Sequence, residues 1–395
     1  MNTSVIGDRV RTLRLARNLS QTGLAAAMSL PTNSAISRIE NGLSTPSNEQ
    51  IQLLAQTLEC TPELLTSAPP DYLVTRPWLR AYADARARTI DGVISDNVLC
   101  HEFIDALRLR RYAPATPEFT ADPNDDDAIE EYADAVRAAA SIESDQRVGN
   151  AVRAAERLGI IVLPMDDELG RHLGMSHFID ETPYLRVARS GIPGDRQRFT
   201  VAHEIGHLGL HAETPPPSDA AEARRIEKQA HRFAGAFLAP IAALMEDLDA
   251  LGGRVTLQNL AELKGTWGVS IKGLVVRLRH HDVVSEDQAT SLYKQISKRG
   301  WNTAEPVPVT NEKAVWLPSR LERRAGDLEP AQWAAKQHGL KAAYARRWVT
   351  WDEPAGTDAD VVSLAGRGRP ASARRAASNA AGSAVVTPLT RRRQP

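Results

Sequence analysis

The stretch "FTVAHEIGHLGLH", residues 199–211, sets three histidines and one glutamate into an apolar run. Phe199, Ala202 and Ile205 recur at helical spacing, Asp195 stands where a helix cap is expected, and "TPPP" at 214–217 stops the pattern. On such a helix His203 and His207 are i and i+4, one turn apart on one face. Two imidazole nitrogens can there meet one tetrahedral ion. Glu204 then sits beside the ion rather than on it, placed to take a proton from a metal-bound water. The competing reading is a helix with two partly exposed histidines, so the rest of the chain has to decide.

Zinc wants a third protein ligand and keeps a fourth position open for water. His211 lies two turns from His203, about 12 Å along the axis at about 1.5 Å per residue, too far to share one ion with both histidines. It reads as a neighbour that packs or hydrogen-bonds. Residues 219–240, "DAAEARRIEKQAHRFAGAFLAP", form a second amphipathic helix whose buried stripe is Ile226, Ala230, Phe233, Ala234 and Phe237. Glu227 lies at the edge of that stripe, where a carboxylate can point at the preceding helix. His231 follows one turn on, and Glu222 and His231 stand as alternative ligands.

Together, "RFTVAHEIGHLGLH" and "IEKQAHRFAGAFLAP" resemble the ImmA/IrrE family of zinc metallopeptidases, in which HExxH is followed by a helix of the form E-x-x-A-N-x-F-A ending in proline. The resemblance covers roughly residues 128–240. It implies a zincin-like domain with His203, His207 and Glu227 as Zn2+ ligands and Glu204 as general base, a metalloendopeptidase of the HExxH type. His231 departs from the pattern, standing where the family usually has asparagine. It either competes for the metal or orients Glu227 from outside the ligand set. Ahead of the helix, "IIVLPM" (160–165) reads as a strand, and "SHFID" and "YLRVAR" flank "ETP" as a hairpin. Its edge can receive an extended substrate or be an ordinary sheet edge. Tyr184 is a candidate donor to a tetrahedral oxyanion.

The front of the chain, residues 6–66, reads as four short helices. The first is apolar and carries Arg9, Arg11, Arg14 and Arg17; Ser20 caps a second over 21–28, a third ends at "ENG", and Ser47 caps a fourth. The pieces "LSQTGLAAAM", "AISRIENG" and "PSNEQIQLLAQTL" resemble the XRE-type helix-turn-helix family, related to phage repressors. That resemblance implies that a helix starting at Thr32 enters the major groove of a double-stranded DNA operator. Thr32, Asn33, Ser34, Ser37 and Arg38 are then candidates for base or phosphate contact and Gln21 for a phosphate contact, with a homodimer on paired half-sites. The turn before the third helix is one residue longer than the common pattern. The module's five arginines are balanced by five acids, so affinity rests on how the arginines cluster.

The fold class expected is mainly α with a small β-sheet (α+β). Its parts are a helix-turn-helix bundle (1–67), a helical connector and linker (68–127), an ImmA/IrrE-like metallopeptidase domain (128–250), a C-terminal helical region (251–354) and a disordered basic tail (355–395). In the connector, residues 79–111 are helical in pattern, and "APATPEFTADPNDDD" (113–127) reads as a linker or exposed loop. Helices follow at 129–142 and at 148–159, the latter ending at Gly159. Beyond 250, Trp267 is a core anchor and His280 and His281 are surface residues. From Gly366 the chain holds seven arginines and no acid. It includes "GRGRP" (366–370), similar to the core of an AT-hook, although a solubilising tail explains it as well. "TRRRQP" at the end can add nonspecific phosphate attraction.

Of 395 residues, 42% are hydrophobic and 25% charged, with a net charge of −1. No global field draws the chain to nucleic acid, so DNA binding has to come from a local patch. Cys60 and Cys100 form no CxxC pair, which excludes a disulfide framework and a thiolate zinc site. No long apolar run suggests a signal peptide or a membrane span, and a cytoplasmic protein is expected. The resemblances combine into a DNA-binding transcriptional regulator with a zinc-dependent endopeptidase domain that cleaves a repressor or other regulatory protein. The alternatives are a non-proteolytic transcription factor whose metallopeptidase-like domain senses a ligand, and a toxin–antitoxin component.

Overall fold

The computed structural model describes residues 3–75, 87–165, 173–189, 192–215 and 217–351. Among the described residues helices dominate and one three-stranded sheet accompanies them, as the sequence led us to expect. Five helices open the chain: α1 (Thr3–Ala16), α2 (Gln21–Ala27), α3 (Ser34–Glu40), α4 (Asn48–Thr57) and α5 (Pro62–Thr66). Ser20 caps α2 by accepting from the Gly23 amide, and Ser47 forms a reciprocal capping box with Gln50 at α4. Glu40 at the end of α3 is buried. Arg14 of α1 grips it through Nε at 2.5 Å and Nη2 at 2.9 Å, which fixes the angle between the two helices.

The connector contributes α6 (Ala87–Ala106); the expected start of this helix at residue 79 lies outside the described residues. Next come α7 (Asp126–Ala139) and α8 (Ala151–Arg157), the latter followed by Gly159 at φ +85, where a Cβ would lie 2.6 Å from the Ala113 carbonyl oxygen. The sheet consists of β1 (Ile161–Met165), β2 (Gly174–Ile179) and β3 (Thr182–Ala188) in the order β1-β3-β2. The β2–β3 pair is the expected antiparallel hairpin, and β1 runs parallel to β3.

The remaining helices are α9 (Gly194–Leu210), α10 (Ala220–Leu238), α11 (Ile241–Ala250), α12 (Leu257–Trp267), α13 (Ile271–His280), α14 (Glu286–Lys298), α15 (Trp316–Ala325), α16 (Pro330–His338) and α17 (Ala342–Val349). Among the described residues no helix is long and apolar enough to cross a membrane. Residues 352–395, with "GRGRP" and the closing arginines, lie outside the described part.

Period-two alternation divides the sheet between two cores. Val162, Leu185 and Val187 face a core built by α7–α14, whereas Ile161, Leu163 and Tyr184 face a second core shared with α1–α5, the end of α6 and α15–α17. Burial on both faces explains why β1 reads as an unbroken apolar run. The helix-turn-helix bundle is therefore packed into the body of the molecule. Arg9 of α1 binds Glu102 of α6 at 2.5 and 2.9 Å, and residues 59–61 exchange backbone hydrogen bonds with Gly339 and Lys341.

Helix α9, which bears the HExxH motif, is held from several sides. Asp195 does not cap it: Pro193 precedes the helix, and the Asp195 carboxylate instead binds the buried Lys264 ammonium at 2.7 Å. Glu312, far along the chain, accepts the Ala151 and Val152 amides at the start of α8 and pairs with Arg198 of α9. Gly206 lets α10 approach, since a Cβ there would lie 2.8 Å from the Phe233 ring. Glu130 of α7 accepts from Arg232 of α10 and Arg277 of α13. His281 stands 3.4 Å from the same carboxylate, so His280 and His281 are half-buried packing residues rather than the surface pair expected. Trp267 is the expected core anchor, its indole N–H donating to Asp247 at 3.0 Å.

Candidate metal centre

His203 and His207 project from one face of α9 toward α10, and Glu227 projects from α10 to meet them. The two Nε2 atoms are 3.0 Å apart, and Glu227 brings Oε2 to 3.5 Å from His203 Nε2 and Oε1 to 3.7 Å from His207 Nε2. Ligand atoms of all three lie within 4.8 Å of one another. Bonds of about 2.1 Å at a tetrahedral angle require ligand atoms roughly 3.4 Å apart, so the donor set fits a small divalent ion of the zinc kind. The other two candidates fall outside this group. Glu222 is tied to Ser218 at the start of α10, and His231 turns Nδ1 back to the Glu227 carbonyl oxygen at 2.6 Å. The His231 ring meets the His203 ring edge-on at 4.6 Å, as a packing neighbour.

Glu204 is buried, and its Oε2 accepts the Ser176 hydroxyl of β2 at 2.6 Å. Burial pushes its carboxyl up to about 7, against the opposing pulls of His203 and the Ser176 bond, with Glu227 adding to the rise. Gly174 on the same strand leaves room for this side chain, since a Cβ there would lie 3.2 Å from Glu204 Cγ and 2.4 Å from Thr200 Cγ2. Burial also drives the His207 imidazole well below its ordinary range, and holds His211 down to about 4. His211 hydrogen-bonds, as its place on the helix suggested: its Nδ1 lies 3.1 Å from His207 Nδ1 and its Nε2 3.0 Å from Gln229 Oε1.

Ser176, Gln229 and Gly174 escaped the reading of the sequence. Tyr184 was misplaced by it. Leu185 and Val187 face the core of α9, so Tyr184 faces the other way, fully buried, with its hydroxyl 3.0 Å from His101 Nδ1. It has no access to the metal centre. Strand β2 is an edge of the sheet, and residues 73–75 pair with its far end through Thr75 N to Phe178 O at 3.0 Å.

On the helix-turn-helix module, Thr32, Asn33, Ser34 and Arg38 are exposed and Ser37 is half-buried. Helix α3 begins at Ser34, so Thr32 lies in the turn ahead of it rather than at its start. Gln21 stands at the start of α2 and donates Nε2 to Glu40 at 2.8 Å. Two of the module's five arginines, Arg9 and Arg14, are consumed in buried pairs, and Arg17 lies over the Tyr344 ring at 4.0 Å. Arg11 and Arg38 remain as its exposed cations.

Comparison with known families agrees with both halves. Residues 155–279 match the family model of the IrrE N-terminal-like domain, a peptidase family, and residues 10–65 match the helix-turn-helix model. The first match runs beyond α10 through α11, α12 and most of α13. No curated protein and no solved structure matches the chain. The chain is a fusion of an XRE-type helix-turn-helix module with an ImmA/IrrE-like domain of the metallopeptidase type.

Proposed function

We propose that this protein is a DNA-binding regulator whose zinc-dependent endopeptidase site cleaves a repressor or other regulatory protein. The observation that supports it best is the convergence of His203, His207 and Glu227 beside a buried Glu204. A zinc ion held by those three residues would polarise the scissile carbonyl and acidify the attacking water. Ser176 holds Oε2 of Glu204, which leaves Oε1 to take a proton from that water and hand it to the leaving amine. On the other module, Thr32, Asn33, Ser34, Ser37 and Arg38 would face a double-stranded operator, with Gln21 at the phosphate backbone. The test is incubation of candidate repressors with the wild-type chain and with Glu204→Gln. Fragments formed by the wild type alone support the reading, and equal cutting by both removes Glu204 as the base.

One observation favours a second reading, a sensor that cuts nothing. Successive residues of β2 face opposite cores: Ser176 reaches Glu204, and His177 lies 3.4 Å from Asn97 of α6. In this reading a ligand at the metal centre would be felt through one strand at α6, the connector helix that Glu102 ties to Arg9 of α1. Operator occupancy that follows a small molecule, with regulation unchanged in Glu204→Gln, would favour this reading over proteolysis.

A further inference from the structure

His203 and His207 are equivalent in the motif but not in their surroundings. His203 Nδ1 is buried and has no hydrogen-bond partner among the described residues. His207 Nδ1, by contrast, begins a chain of contacts that leaves α9, crosses α10 and ends in the acidic loop ahead of α7. His207 Nδ1 to His211 Nδ1 is 3.1 Å, and His211 Nε2 to Gln229 Oε1 is 3.0 Å. Gln229 Nε2 to Asn124 Oδ1 is 3.2 Å, and Asn124 Nδ2 to Asp122 Oδ1 is 2.8 Å.

The direction of the chain follows from its last member. An ionised carboxylate can only accept, so Asn124 presents its amide N–H2 to Asp122 and its carbonyl oxygen to Gln229. The same Asp122 oxygen accepts the Asn124 backbone N–H at 2.9 Å, which holds the turn. Gln229 must then donate outward through Nε2 and accept inward through Oε1. His211 donates Nε2–H to that oxygen, and as a neutral imidazole it keeps a lone pair on Nδ1. His207 must fill that acceptor with Nδ1–H, and its own lone pair falls on Nε2, the atom that faces His203 and Glu227.

We propose that Asp122, Asn124, Gln229 and His211 form a directional hydrogen-bond chain that fixes His207 as its Nδ1–H tautomer and holds its Nε2 lone pair on the metal position. The proposal rests on the metal-centre reading of His203, His207 and Glu227. His211 and Gln229 are positioning residues; neither touches the ion or the substrate. The residues at 122–124, which the sequence presents as linker, thereby become the outer end of the metal site. His207 is the rigid ligand of the pair and His203 the adaptable one.

The experiment uses the full-length chain. Zinc affinity is measured by competition with a chromophoric chelator for wild type, His211→Ala and Gln229→Met. The tautomer of His207 is read without metal by long-range 1H–15N correlation of the imidazoles. Wild type is expected to show Nδ1–H at His207. His211→Ala should weaken zinc binding about 10- to 100-fold, the usual scale for losing a group that orients a ligating histidine. Gln229→Met leaves His211 in place and removes only its acceptor. It should weaken binding by a smaller factor and release the single tautomer at His207, a change that mere loss of packing would not produce. An Nε2–H tautomer at His207 in the wild type, or wild-type affinity in a folded His211→Ala and in Gln229→Met, overturns the proposal. A wild-type chain that binds no zinc overturns the metal centre itself, and the proposal with it.

Discussion

Asp96 of α6 and Arg186 of β3 form an ion pair buried between the two halves of the molecule. The same carboxylate accepts the Trp348 indole N–H at 3.0 Å and the Tyr344 hydroxyl, and Arg186 donates to Asn97 Oδ1 at 2.5 Å and to the Pro164 carbonyl at 2.9 Å. Helix α6, the sheet and α17 thus meet at one carboxylate. Removing it leaves Arg186 charged, buried and unpaired, which costs about 3–5 kcal/mol. Asp96→Ala is expected to lower the free energy of unfolding by that amount and to weaken operator and metal binding together in one transition. Urea unfolding followed by fluorescence, with both ligands titrated, checks this. Independent loss of the two activities would show that the halves are not joined here.

Acid should destabilise the fold in two windows. Burial holds His177 down to about 3 and His338 down to about 4, against 6.5 for an unperturbed histidine. The unfolded chain therefore binds more protons than the native one below 6.5. The stability these residues contribute is fully present above that pH and is lost as pH falls toward 4 and then 3. The slope is about 1.4 kcal/mol per pH unit for each group. Asp96 acts lower down. Burial pushes its carboxyl up, but Arg186, Arg347 and the bonds from Tyr344 and Trp348 hold it net below 3.8. Its contribution is present above 3.8 and disappears only below that value. His338→Gln should flatten the upper window in a series of chemical denaturations between pH 7 and 4; an unchanged slope would place the proton uptake elsewhere.

The candidate metal centre was legible in the sequence where its signals are local: an i, i+4 histidine pair and a glutamate at the edge of an apolar stripe each lie within one helix. The serines that cap α2 and α4 were legible for the same reason. What escaped joins distant elements: Ser176 to Glu204, and Asn124 to Gln229. Tyr184 was assigned to the wrong side although period-two alternation already sets it opposite Leu185. Asp195 was read as a cap because nothing nearby in sequence reveals Lys264, its buried partner. The shared core between the helix-turn-helix bundle and the sheet left no trace in composition, since each half has an ordinary apolar pattern of its own.

DNA binding should depend weakly on salt for a module of this class. With Arg11 and Arg38 as its exposed cations, few phosphates are neutralised, and the slope of log K against log salt should be about −0.9 for each one. Arg38→Ala is expected to cost about 1–3 kcal/mol in operator affinity without moving the melting point if it reads a base. Arg14→Ala should instead unfold the module by stranding Glu40. Fluorescence anisotropy over a salt series, paired with melting curves, separates the two; wild-type affinity in Arg38→Ala would remove that residue from the interface.

If Glu204 is the base of the proposed peptidase, Ser176→Ala should reduce turnover of its peptide by about 10-fold with little change in KM, because the hydroxyl binds Glu204 and not the substrate. Ser176→Thr keeps the donor and should restore most of the rate. Loss expressed only in KM would mean that Ser176 shapes the substrate strand.

The most direct measurement is the metal content of the full-length chain by elemental analysis after gentle purification, alongside His203→Ala, His207→Ala and Glu227→Ala. One zinc per wild-type chain, with loss in each folded variant, is the result expected of two histidines and a carboxylate closing on one ion. A wild-type chain without divalent metal, or metal retained unchanged in all three variants, would contradict the site.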